Sequence, residues 1–152
     1  MRFRLCVVGR PRDAALASAV ADYETRAARY WPLDIREVKA APGGRDAGAA
    51  RKLEAERLVL AVGDATRVIC DESGTALTSR AFAEWLQSLR VQARDVAFVI
   101  GGAYGVAESV RRGADRLLTL AHWTLPHEVA RLVLAEQLYR AGTILKGEPN
   151  HK

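Results

Sequence analysis

The sequence offers little to a soft metal ion. Its 152 residues hold two cysteines and three histidines, His122, His127 and His151, with no Cys-x-x-Cys and no His-x-x-x-His spacing. That speaks against a structural zinc site, and no metal is expected. Cys6 and Cys70 each sit inside apolar, strand-like runs. They read as small buried thiols in a reduced compartment rather than as a disulfide. No apolar run reaches the length of a membrane span, so no membrane partner is expected. The opening residues 1–9 are too short in their apolar part for a secretory signal and lack a small-residue cleavage site; they read as a first strand ending at Gly9. Internal repeats and low-complexity segments are missing too. So are the dinucleotide fingerprint Gly-x-Gly-x-x-Gly and a phosphate loop closed by Lys-Ser/Thr, which argues against a nucleotide enzyme of Rossmann type.

What is present describes one globular domain over residues 1–152. Hydrophobic residues make up 49% and charged residues 27%, and the length is enough to bury a core. The net charge is +5 and the pI about 9.6. A basic surface attracts phosphates and releases their counterions, which favours a polyanionic partner, although the arginines are spread out rather than clustered.

Pattern and punctuation predict alternating strands and helices. Strands are expected over 2–8, 34–39, 66–71, 95–100 and 116–120, and helices over 13–30, 49–61, 78–90, 106–112 and 126–145. Asp13 suits the first helix N-cap and Trp31-Pro32 its end. Pro42-Gly43-Gly44 opens a loop, and Glu72-Ser73-Gly74 reads as a turn after the third strand. Asp95 to Ile100 is almost continuously apolar, as in a strand covered on both faces of a parallel sheet. This alternation makes an α/β fold with a mostly parallel sheet and helices on both faces.

Two segments carry the chemistry. The strand at Phe98-Val99-Ile100 runs straight into Gly101-Gly102-Ala103-Tyr104-Gly105. Glycines at the carboxyl end of a parallel strand let a ligand approach the backbone, or simply make a tight turn. The second segment, Leu120-Ala121-His122-Trp123-Thr124-Leu125-Pro126-His127-Glu128, follows a strand and opens the last helix. Pro126 suits the first helical turn, Thr124 could cap, and the loop could offer backbone N–H and C=O groups to a purine edge. His122 as a base and His127 as a ligand compete with two ordinary polar residues at a helix start.

The last helix is apolar on two sides. Val129, Leu132, Val133 and Ile144 share one face, and Leu134, Leu138 and Leu145 another, leaving a strip of Glu128, Arg131, Ala135 and Tyr139 as the solvated side. Such a helix is deeply buried or covered by another subunit. Glu136 and Arg140 lie four apart within the first apolar face. They form a helix-internal ion pair or, given the desolvation that placement demands, mark an interface or substrate site. In the tail, Gly147 ends the helix, and His151 and Lys152 could reach a phosphate unless the terminus frays.

Taken together, Ile100-Gly101-Gly102-x-x-Gly105, Leu125-Pro126-His127-x-x-x-Arg131, Glu136-Gln137-x-Tyr139-Arg140-Ala141 and Gly147-Glu148-Pro149-x-His151-Lys152 closely resemble the RlmH family of SPOUT methyltransferases. Val8-Gly9, the Pro42-Gly43-Gly44 loop and Asp71-x-x-Gly74 match in order, so the resemblance spans the chain. It implies a SPOUT fold with a carboxyl-terminal trefoil knot, a homodimer, and transfer of methyl from S-adenosylmethionine to N3 of a pseudouridine in large-subunit ribosomal RNA, in the cytoplasm and on the assembled ribosome. It implies a cofactor site at Cys70, Gly101, Gly102, Gly105, Leu120, Ala121, His122, Trp123, Thr124 and Leu125. Arg140, Glu136, His151 and His127 are then the catalytic candidates, and Arg131, Arg140, His151 and Lys152 the RNA-binding ones. Cys70 stands where the family usually has an aliphatic residue, and Asn150 where its tail commonly has a tyrosine. A non-catalytic RNA-binding α/β module would explain the charge and sheet, but not the pairing of the glycine turn with the 120–125 loop.

Overall fold

The computed structural model describes residues 1–44 and 46–149. Five strands and five helices alternate along the chain: β1 (Phe3–Val8), α1 (Ala14–Ala27), β2 (Leu33–Val38), α2 (Ala47–Val62), β3 (Thr66–Ala76), α3 (Ser79–Val91), β4 (Val96–Ile100), α4 (Glu108–Arg112), β5 (Arg116–Thr119) and α5 (His127–Lys146). The strands form one parallel sheet in the order β2-β1-β4-β3-β5, as the alternation predicts.

The two-residue period of a strand divides the sheet between two cores. In β4, Val96, Phe98 and Ile100 point to one face, which α1, α3 and α5 cover. Ala97 and Val99 point to the other, covered by α2 and α4. All five residues are buried, which explains the unbroken apolar run. On the first face Phe3 packs against Trp31 at 5.0 Å and against Phe98 edge-on at 5.7 Å. The Trp31 Nε1 donates to the Leu138 carbonyl at 2.8 Å, fixing the middle of α5 to the chain after α1.

Local chemistry sets the helix ends. The Asp13 carboxylate accepts from Leu16 N at 2.9 Å, Asp46 from Ala49 N at 2.7 Å, and the Thr78 hydroxyl from Ala81 N at 3.1 Å. Each satisfies an N–H with no partner in its own helix. Gly147 stops α5 in the left-handed region at φ 68°. Pro126 occupies the N-cap of α5 and supplies no side-chain cap. Thr124 does not cap either, because its hydroxyl donates to Glu72 instead.

Two expectations need correction. Glu72-Ser73-Gly74 is not a turn that ends β3. The strand continues to Ala76, and its pairing with β5 shifts register between Cys70 and Thr75, as at a bulge. On α5, the buried stripe is Arg131, Leu134, Ala135, Leu138, Ala141 and Gly142. The strip assigned to solvent is therefore partly the covered one: Ala135 is fully buried, and Arg131 is 6% exposed. Val129, Leu132, Val133, Glu136, Arg140 and Ile144 are half-buried instead.

Candidate functional site

A pocket of about 480 Å³ opens outside the carboxyl ends of β3, β4 and β5, where parallel sheets receive ligands. Its floor is Ile100 and Gly101. Cys70, Asp71, Glu72 and Ser73 from the irregular part of β3 form one side, and Thr119 to Ala121 with Trp123 to Leu125 the other. His127 and Ala130 close it from α5, Arg111 from α4, and Gly105 and Val106 from the turn after β4.

That turn is built by close approach. Gly105 N donates to the Gly102 carbonyl at 3.0 Å, with Gly105 at φ 81°, a conformation that favours glycine. A Cβ on Gly101 would lie 2.7 Å from the Gly105 carbonyl carbon. A Cβ on Gly102 would lie 2.8 Å from Glu54 Oε1. Glu54 is 5% exposed. Its Oε2 accepts from Ala41 N at 3.0 Å, and its Oε1 has no hydrogen-bond partner. Gly102 thus makes room for an internal carboxylate, and it is not among the pocket's wall residues.

The opposite loop is held by hydroxyls. Thr119 Oγ1 donates to the Ala121 carbonyl at 2.6 Å, and Thr124 Oγ1 donates to Glu72 Oε2 at 2.6 Å, crossing from loop to strand at the pocket mouth. Trp123 is 83% exposed. Beside them Asp71 is held below the usual carboxylate range. Burial works against its charge, but hydrogen bonds from the Ser73 hydroxyl and N–H, and the Arg111 guanidinium, outweigh it. Cys70 is pushed up to about 12, by burial first and the neighbouring Asp71 second, so its thiol is a neutral wall group and no nucleophile.

The chain matches the family model described as Predicted SPOUT methyltransferase over residues 1–151. The chain belongs to the SPOUT methyltransferase family. Among its relatives, a Gemmatimonas aurantiaca protein named Ribosomal RNA large subunit methyltransferase H is 60% identical over the full length of both chains. Among solved structures, a methylase-family protein from Haemophilus influenzae Rd KW20 shares the fold with a TM-score of 0.58 at 18% identity, covering 99% of this chain and 70% of its own. A Legionella pneumophila methyltransferase solved with the cofactor SAM bound has a TM-score of 0.50 at 12% identity, covering 93% of this chain and 67% of its own. SPOUT methyltransferases use S-adenosylmethionine, and that is the methyl donor of this one.

The pocket brings together Cys70, Gly101, Gly105, Leu120, Ala121, Trp123, Thr124, Leu125 and His127. His122 is exposed and not a wall residue. Glu136 and Arg140 form the expected pair, with Arg140 Nη2 2.6 Å from Glu136 Oε1, on the half-buried side of α5 and away from the pocket wall. Arg131 is not presented to a phosphate. Its Nε and Nη2 donate to the Glu24 carboxylate at 2.8 and 3.0 Å, and its Nη1 donates to Glu37 at 2.6 Å. Burial opposes its charge, but these bonds hold it above its usual value. His151 and Lys152 lie outside the described residues. Asp71, Glu72, Ser73, Arg111 and Glu54 were not expected as site residues. The available signals were acidic residues just past an apolar strand, and a glutamate on the stripe of α2 that carries Ala50, Leu58 and Val62. Among the described residues no cluster of three metal-ligating side chains occurs, and no helix is long and apolar enough to cross a membrane.

Proposed function

We propose that this chain transfers the methyl group of S-adenosylmethionine to N3 of a pseudouridine in 23S ribosomal RNA, on the assembled ribosome, as a homodimer in the cytoplasm. The same reading treats residues 1–152 as one domain whose carboxyl-terminal part is threaded as a trefoil knot. The observation that carries it is the pocket at the strand ends, in a chain that is 60% identical to a ribosomal RNA large subunit methyltransferase.

The pocket residues suit the cofactor. Its volume is that of a site for a ligand of this size. Ile100, Val106, Leu120 and Leu125 offer apolar wall to a purine, while Asp71, Glu72 and Arg111 offer charge to a polar end. When bound, the cofactor supplies a methyl carbon made electrophilic by its sulfonium. The chain's own task is placement: to hold the accepting nitrogen in line and keep water away. In this reading His127, which lines the pocket, takes the proton released from N3. Glu136 orients the Arg140 guanidinium for a phosphate or base. Arg140 lies 13 residues along α5 from His127, about 20 Å at the helical rise. That is a long reach for one chain to make to a single nucleotide, which favours a site completed by a second copy. The half-buried apolar face of Leu132, Val133 and Ile144 around the Glu136–Arg140 pair is the surface such a copy would cover.

The test is transfer of labelled methyl to ribosomes and to free 23S RNA, followed by nucleoside analysis. The expected product is a single N3-methylated pseudouridine, formed faster on ribosomes. Transfer to neither substrate, or methyl on a different nucleoside, would sink the proposal.

A further inference from the structure

The pocket wall carries two carboxylates, Asp71 and Glu72, and one guanidinium, Arg111. With histidine neutral, this gives it a net charge of −1. Asp71 and Arg111 are set side by side. Arg111 Nε lies 3.1 Å from Asp71 Oδ2, with side-chain exposures of 30% and 19%. Ser73 fixes both. Its N–H and hydroxyl donate to Asp71 Oδ1 at 2.9 and 2.5 Å, and its hydroxyl accepts from Arg111 Nη2 at 2.9 Å. Arg111 Nη1 donates to Glu108 Oε2 at 3.0 Å. A guanidinium has five N–H donors: two make these hydrogen bonds, the buried Nε faces Asp71 Oδ2, and one N–H on each Nη is left over among the described residues. The Ser73 bonds fall on Asp71 Oδ1, and Oδ2 faces the guanidinium. The couple is therefore preset, half out of water, and has donor and acceptor capacity to spare.

Resting on the reading of this pocket as the cofactor site, we propose that Asp71 and Arg111 form the subsite for the zwitterionic amino-acid end of S-adenosylmethionine, Asp71 facing its ammonium and Arg111 its carboxylate. The adenosine half of the cofactor is uncharged and suits the apolar walls. The other end carries an ammonium and a carboxylate on one carbon, the spacing a fixed cation–anion couple complements. The sulfonium makes the whole ligand a net monocation, the complement of the wall's single negative charge. Arg111 then acts as a specificity residue, distinguishing the full cofactor from adenosine thioethers that lack the amino-acid end.

Two probes separate this role from mere bracing of β3. S-Adenosylhomocysteine has the amino-acid end, and 5′-methylthioadenosine has the same adenosine and thioether without it. By calorimetry, Arg111→Gln should weaken S-adenosylhomocysteine about tenfold and leave 5′-methylthioadenosine unchanged. Arg111→Lys, which keeps the charge, should recover part of the loss. An equal fall for both ligands, in both variants, would make Arg111 a brace and overturn the assignment, as would no change for either. Wild-type protein that binds neither ligand would overturn the cofactor site along with it. Wild-type protein that binds both but methylates no ribosomal RNA would end the proposed reaction while this subsite stood.

Discussion

Removing the Arg131 side chain should destabilise the fold far more than it weakens RNA binding. Its guanidinium joins α5 to Glu24 of α1 and Glu37 of β2. In Arg131→Met both carboxylates lose their cation while staying where they are. The Glu24 side chain is 12% exposed, so its charge is left without a partner and nearly without water. Breaking such a pair costs about 3–5 kcal/mol. Glu37 is 32% exposed and keeps Arg10 Nε at 3.8 Å from its Oε1, so the lower end, about 3 kcal/mol, applies. For a domain of this size that corresponds to a melting temperature lower by about 6–12 °C. Adding Glu24→Gln and Glu37→Gln to Arg131→Met should restore much of the loss, because neutral partners no longer need the cation. Urea unfolding of the variants measures the stability, and ribosome affinity at two salt concentrations measures the binding. Stability unchanged in Arg131→Met, with ribosome affinity and its salt dependence reduced, would refute this reasoning and return Arg131 to the RNA-binding surface.

Arg140→Ala should lower methyl transfer to ribosomes at least tenfold and leave cofactor binding within twofold. An equal loss of both would place Arg140 in the cofactor pocket or the fold. Gly102→Ala should weaken cofactor binding, since its Cβ meets Glu54 at 2.8 Å and shifts the 101–105 turn. Glu54→Ala in the same chain should relieve the clash, and calorimetry reads both. Cys6 and Cys70 are raised by burial from 9.0 to about 11 and about 12. As pH climbs past 9, the unfolded thiols give up protons first, so their contribution is whole below pH 9 and is lost as pH rises toward the folded values. Urea unfolding at pH 8 and pH 10 should show wild type losing more stability than a Cys6→Ala, Cys70→Ala variant. Identical losses would show that the thiols are not the cause.

Why some of this was legible and some was not follows from where each residue's partner lies. β4 reads directly, because Val96 to Ile100 are apolar on both faces and their neighbours are simply core. The first helix cap reads directly too, since Asp13 acts on a residue three positions away. The end of β3 does not. Asp71, Glu72 and Ser73 are polar because they face a pocket rather than a core, and polar residues before a glycine look like a turn. Arg131 misleads for a different reason. An arginine on a helix suggests solvent, and its carboxylates come from Glu24 and Glu37, on elements far away in the chain. The pocket shows both limits at once. Its two glycine- and proline-marked loops are visible as local motifs, whereas Arg111 joins them only through the pairing of β3 with β5.

The bond from the Thr124 hydroxyl to Glu72 spans the doorway of the pocket. Donor and acceptor are both exposed, so water competes for each, and the bond contributes about 1 kcal/mol at most. A latch of that strength favours its closed form over its open one by only roughly fivefold. So light a closure does not by itself shut a methyl donor in or out.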